Sequence, residues 1–507
     1  MKGLSLADGR KLLAPLATGA LLLSAAGISA RAADTDGYAK INQVTVPNVP
    51  ITCTFSPSII DTTNFSFDIS WVAEARGEYL LAERSHGRPL SDTEGGRLSG
   101  ATGGDILVIK TDDPGAGPSY ILPPRDDPFA GHRCDINPDF GGVLSGPPGH
   151  TSDRNEIEGP NGVFTVNDTE AWVGDGPSRF TPGQTDQASD YKNDPCDSSV
   201  RVFSLITRRQ TDHINLHGCF RTDEGAFDAV DQVALFANPS EKPLPGNFRA
   251  RALNNSPFIS LISTRSGDDE NGDDRHFDGG DSHHRILKQI NFDGTNGTVA
   301  ARGGIEQAVY SRQTGLFYIA VPADPTNLTN TDGWVTTVDP RRGHFGEVHN
   351  YALKNGSCSG GPAGAALGPN HELLLGCGGG SPVAGELVVD ITNLAASTAN
   401  PTVLADGSNS CDEVAYDAGS GHFGGACFTT APGQFSVLVN DARPPQFDVN
   451  IGTPTSGAHS IAADSVNEEF WVPKFGGDCG KDAGNNPLSC VAVYGPTASD
   501  DFEAANP

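Results

Sequence analysis

The sequence predicts an all-β fold, and three observations predict it. A short apolar run, a polar turn and a second apolar run recur seven times along the chain. Glycine at 62 and proline at 36 of 507 residues supply many turns. A third strand often follows each hairpin, as in "ILVI" (106–109), "VRVFSLI" (200–206) and "FSVLVND" (435–441). One hairpin cannot bury its own face. Repeated sheets set radially about an axis can, and they leave only short edges. The expectation is a single seven-bladed β-propeller, closed by an N-terminal strand and carrying long surface loops. A pair of β-sandwiches would not explain one motif recurring seven times.

Taken in order, residues 1–32 read as a secretory signal. Lys2, Arg10 and Lys11 precede "LLAPLATGALLLSAAG", and "ARA" (30–32) offers small residues for cleavage. Residues 33–54 form an N-terminal segment in which "INQVTVPNV" (41–49) is expected to supply the outermost strand of the last blade. The propeller spans 55–496. Its hairpins begin with "ISWVAEARGEYLLAERS" (69–85), "NGVFTVNDTEAWVGDG" (161–176) and "GAFDAVDQVALFANP" (225–239). They continue with "AVYSRQTGLFYIAVP" (308–322), "AALGPNHELLLGC" (365–377), "VAYDAGSGHFGGACF" (414–428) and "IAADSVNEEFWVPKF" (461–475). Residues 112–154, 174–198 and 265–285 read as surface insertions, and 497–507 as an acidic tail.

The formal charge of -29 argues against nucleic acid and anionic membranes as partners, since both need a basic face. No segment after the leader is apolar enough to span a bilayer. The export signal places the protein outside the cell, or in the periplasm of a Gram-negative host. Ten cysteines in an exported chain imply disulfides. The hairpin geometry pairs Cys411 with Cys427 and Cys358 with Cys377, and Cys479 with Cys490 would tie a loop of the last blade. Cys196 with Cys219 and Cys53 with Cys134 are the remaining pairs.

In a propeller the first strand of each blade lines the channel, and its first residues meet at one mouth. Those residues are Asp68, Glu158, Asp223 with Glu224, Glu306, the glycine segment 361–364, Asp412 with Glu413, and His459. Converging carboxylates repel unless protons, arginines, water or a cation compensate them. Two readings stand side by side. The acids cap strand ends and bond to backbone N–H groups, or they hold a divalent metal such as Ca²⁺ or a transition metal that accepts a nitrogen ligand. In the second reading His459 and Glu306 are the candidate catalytic residues. The acidic loop 265–285, with His276, His283 and His284, is a second metal candidate that departs from the EF-hand pattern.

The units "RTDEGAFDAVDQVALFANP", "GGIEQAVYSRQTGLFYIAVP", "CDEVAYDAGSGHF" and "SGAHSIAADSVNEEFWVP" resemble the YncE-like and NHL-related propellers of exported proteins over most of 55–496. The resemblance implies a binding scaffold. More distant likeness to the SMP-30/gluconolactonase and streptogramin lyase propellers implies a metal-dependent enzyme acting at the channel. The lactonase pattern uses Glu, Asn and Asp, and no Asn stands out here at a mouth position. The expected function is therefore binding of a small-molecule, glycan or protein ligand at the channel mouth by a monomer, with or without a metal. The alternative is a metal-dependent lactone hydrolase or lyase. A quinone-dependent dehydrogenase is the weakest reading, because four tryptophans are too few for that group's docking repeat.

Overall fold

The computed structural model describes residues 37–47, 51–56, 59–63, 65–85, 103–125, 127–131, 158–176, 198–218, 221–239, 257–265, 284–323, 330–354, 356–378, 386–404, 411–427, 435–442, 445–452, 458–474, 479–486 and 488–497. Among them are seven four-stranded antiparallel sheets and one two-stranded hairpin, Ile51–Ser56 with Ile59–Thr63. Among the described residues helix is confined to Leu394–Ala399 and a few 3-10 turns.

We number the sheets along the chain by their innermost strands. These are Phe67–Ala73 in sheet I, Val163–Val166 in II, Gly225–Asp228 in III and Ala308–Ser311 in IV. Pro362–Leu367 opens sheet V, Cys411–Asp417 sheet VI and Ala462–Asp464 sheet VII. Each inner strand lies beside the next, and that of sheet VII returns to that of sheet I. The ring is therefore closed, and the fold is an all-β propeller. Its last sheet takes its outermost strand from the N-terminus. Tyr38–Val46 pairs antiparallel with Ser489–Pro496, three residues earlier than the sequence reading placed it.

Strand alternation explains the closure. On the second strand of sheet I, Tyr79 and Leu81 pack against Trp471 and Val491 of sheet VII. The intervening Leu80 and Ala82 pack the opposite way, against Val173 and Phe203 of sheet II. A strand buried on both faces reads as a continuous apolar run. "EYLLAE", "LFYIAV" and "ELLLGC" are such runs. A separate apolar cluster fills each gap between successive sheets around the ring.

The hairpin turns share a device. Asp228 accepts from the N–H groups of Val230 and Asp231, Asp417 from Gly419 and Ser420, and Asp464 from Val466 and Asn467. A short acceptor at the strand end thus closes the turn with its own side chain.

Disulfides join Cys358 to Cys377, Cys411 to Cys427 and Cys479 to Cys490. Cys134, Cys196 and Cys219 lie outside the described residues, as does the side chain of Cys53. So do the leader 1–32, the tail after Thr497, and most of the insertions 112–154, 174–198 and 265–285.

Candidate functional site at the channel mouth

The backbone carries the mouth residues to one end of the ring. Pairing continues for two residues ahead of the inner strand in sheets III and IV. Asp223 N–H donates to Ala237 and Ala237 N–H to Glu224; Glu306 N–H donates to Ala320 and Ala320 N–H to Gln307. Sheet V presents glycine where its neighbours present acids. A Cβ on Gly364 would sit 2.2 Å from the Asp412 carbonyl oxygen, so the close approach of sheet VI excludes any side chain there. The Cys411–Cys427 bridge joins residues directly opposite in the ladder, immediately before Asp412 and Glu413.

One arc of the mouth is an ion-pair network. Asp68, buried, accepts from Arg84, from Arg221 at 3.0 Å and from His459 Nε2 at 2.7 Å. His459 Nδ1 donates to Asp412 at 2.7 Å. Arg84 also lies 3.7 Å from Glu158 and donates to Asn161 Oδ1 at 2.5 Å. The Asn161 amide group in turn donates to the Glu158 and Thr222 carbonyls at 2.9 and 3.1 Å. Arg221 pairs with Asp223 at 2.7 Å. Ser460 Oγ accepts from the Ser70 N–H at 2.8 Å, which ties sheet VII to sheet I.

Charge states follow from these contacts. Burial pushes the Asp68 carboxyl up, but Arg84, Arg221 and His459 together hold it well below the usual carboxylate range. Burial pulls the His459 imidazole down, and Asp412 and Asp68 overrule it, so the ring holds its proton far above the ordinary histidine value. Burial raises Asp223 to about 7 despite Arg221.

The other arc is built of acids alone. Glu224 of sheet III and Glu413 of sheet VI come from opposite sides of the ring, and their carboxyl groups interact across it. That meeting is possible only near the axis. Burial, Glu413, Asp223 and Glu306 raise Glu224 well above its usual range. Burial likewise pushes Glu413 up to about 8. Two such carboxyls share a proton at neutral pH. Beside them Gln307 bridges three sheets. Its Oε1 accepts from Ala365 N–H at 2.6 Å and its Nε2 donates to the Val414 carbonyl at 3.1 Å.

The structure thus brings Asp68, Glu158, Asp223, Glu224, Glu306, Asp412, Glu413 and His459 to one mouth. Sequence reading missed Arg84, Arg221, Asn161 and Gln307. Arg221 stands two residues ahead of Asp223 in "RTDEG", and Asn161 two residues ahead of its inner strand, so register marked both. Arg84 lies on the segment after a second strand, where register points to no mouth residue.

The expected metal does not fit these residues. A divalent ion needs several oxygens converging at about 2.0–2.6 Å. Among the described residues no group of three or more His, Cys, Asp or Glu is so disposed. Arginines and shared protons compensate the acids instead. Both ring nitrogens of His459 donate to carboxylates, which leaves no lone pair for a metal or for general base work. The second metal candidate, 265–285, lies outside the described residues apart from Arg265, His284 and Arg285. His284 is buried on Asp212 at 2.6 Å.

No family model and no curated protein matches the chain. A solved structure titled "Crystal Structure of Mitotic Checkpoint Complex" is similar over 96% of this chain and 99% of that one, at 11% identity and a TM-score of 0.46. A likeness that distant says nothing about function.

Proposed function

We propose that the protein is an exported, seven-bladed propeller that binds its ligand at the channel mouth. One observation carries the reading. Seven carboxyl residues from five of the sheets and the segments before them meet at one end of the ring, and side chains of His459 and Asp412 remain 22% exposed there. Buried charge is costly, and the acids gathered here outnumber the cations Arg84, Arg221 and His459 that the chain sets among them. Three disulfides among the described residues support an oxidising compartment. No helix among the described residues is long and apolar enough to cross a membrane. The hairpin units support kinship with the YncE-like and NHL-related propellers.

The test is a retention panel of immobilised glycans, small molecules and envelope proteins, run with wild type and Asp412→Asn. Asp412 is partly exposed, so the substitution changes the mouth with little effect on folding. Retention that falls at least fivefold in the variant supports the reading. Retention unchanged by the variant, or none on any member of the panel, overturns it.

A further inference from the structure

The acid-only arc has a feature that the rest of the mouth lacks. Glu413 is 1% exposed, yet apart from the Glu224 carboxyl neither of its oxygens has a hydrogen-bond partner among the described residues. Glu224 Oε2 and Asp223 Oδ1, at 4% and 1% exposure, have no donor there either, although Arg221 holds the other Asp223 oxygen. A buried acceptor left unmade costs about 1–3 kcal/mol, and more when it is charged. Such oxygens are rare in folded proteins and call for an explanation.

Position and charge both point to a ligand. Glu224 and Glu413 reach the axis from opposite sides of the ring, and Asp223 and Glu306 stand close enough to act on Glu224. Around the whole mouth the acids Asp68, Glu158, Asp223, Glu224, Glu306, Asp412 and Glu413 outnumber the cations Arg84, Arg221 and His459. The arginines are spent on the Asp68 side. Positive charge is missing at the Glu224–Glu413 pair.

Resting on the channel-mouth reading above, we propose that this pair is the seat of a primary ammonium group carried on a slender stem. An ammonium presents three N–H donors and no acceptor, and it faces buried carboxyl oxygens of Glu413, Glu224 and Asp223 to which the described residues offer no donor beyond the proton the two glutamates share. It bonds at about 2.7–2.9 Å, so it does not require the tight convergence of a metal site. The stem would enter at the mouth, where His459 and Asp412 are partly exposed, and a slender one displaces least to bring the charge to the buried carboxyls. An alkylamine has this chemistry, and so does the lysine side chain of a protein partner.

Calorimetric titration of the full chain tests it. The probes are n-butylammonium, tetramethylammonium, an Nα-acetyl-lysine amide, calcium chloride and a neutral glycan. The expected result is saturable binding of n-butylammonium, at least tenfold weaker binding of tetramethylammonium, which has no N–H, and a loss of at least tenfold in Glu413→Gln. Tighter binding of the lysine amide than of the alkylamine assigns the source to a protein partner, and the reverse to a free amine; both support the proposal. Equal binding of the two ammonium ions, calcium displacing the amine at lower concentration, or no saturable heat with either primary amine overturns it. The wild-type comparison of the two ammonium ions stands even if the variant does not fold. Should the amines fail while a panel ligand still depends on Asp412, this inference falls and the channel-mouth reading survives. Should every ligand fail, both fall.

Discussion

The two arcs of the mouth handle the same problem in opposite ways. On the Asp68 side, three cations from three different sheets or their flanking segments surround one buried carboxylate. On the Glu413 side, carboxyls face carboxyls and a shared proton takes the place of a cation. The first arc is satisfied by the chain itself and works as a rivet across the seam where the ring closes. The second is left short of donors. The difference shows that burial alone does not mark a binding site. What separates the arcs is whether the fold supplies the partner.

Removing the rivet should have the largest effect. Arg84 is buried and holds Asp68, Glu158 and Asn161 together. Arg84→Met keeps most of the volume and strips the charge, leaving two buried carboxylates with less compensation. Breaking a buried pair from one side costs about 3–5 kcal/mol. Chemical denaturation at neutral pH should show a loss of that order. A loss below about 1 kcal/mol would mean that the network is no rivet, and that the two arcs do not differ in kind.

Glu413→Gln probes the other arc with smaller effect and opposite sense. The Glu413 carboxyl is raised from an ordinary value near about 4.3 to about 8 in the folded chain. The folded state then binds the proton more tightly than the unfolded one. This contribution to stability is fully present below about pH 4 and is lost as pH rises through the folded value. Wild type should therefore lose roughly 2–4 kcal/mol between about pH 5 and pH 8 from this group. Glutamine has no proton to lose, so the variant should show a shallower decline and equal or exceed wild type at pH 8. Parallel stability profiles for the two proteins would show that Glu413 is not protonated in the fold.

Much of this architecture was legible in the sequence because the signals were local and repeated. The strand–turn–strand units fixed the first two strands of every sheet, and the third strands followed within two or three residues at most ends. The fourth strands were harder. Arg209–Gly218, on an outer edge, reads "RQTDHINLHG" and alternates buried with half-exposed polar residues, so it carries no apolar run. Thr402–Val403 is only two residues long. At the mouth, the acids were legible because each stands at or near the start of an inner strand, from five residues ahead at Glu158 to inside the strand at Asp68, Asp412 and Glu413. Their compensation was not. Arg84 belongs to the end of a second strand, and Arg221 becomes a partner of Asp68 only through the meeting of sheets I and III across the ring. A one-dimensional register predicts which residues converge and leaves open what neutralises them.

His459 offers the finest test of the comparison, because it belongs to the satisfied arc yet touches solvent. His459→Gln leaves Asp68 with both arginines and leaves Asp412 partly hydrated, so the loss should be only about 1–3 kcal/mol, the worth of hydrogen bonds to a charged group. The pH dependence carries the information. The imidazole holds its proton well above its ordinary value in the fold, through Asp412 and Asp68 acting against burial. Its stabilising contribution is complete below about pH 6.5, the value expected in the unfolded chain, and fades as pH rises toward the folded value. The gap between wild type and variant should therefore be widest near pH 6 and should narrow steadily on the alkaline side. A gap that stays constant from pH 6 to about pH 10 would mean that the ring is neutral in its place between two carboxylates. Asp412 would then be as short of a cationic partner as Glu413, and the division of the mouth into two arcs would have to be redrawn with His459 on the other side.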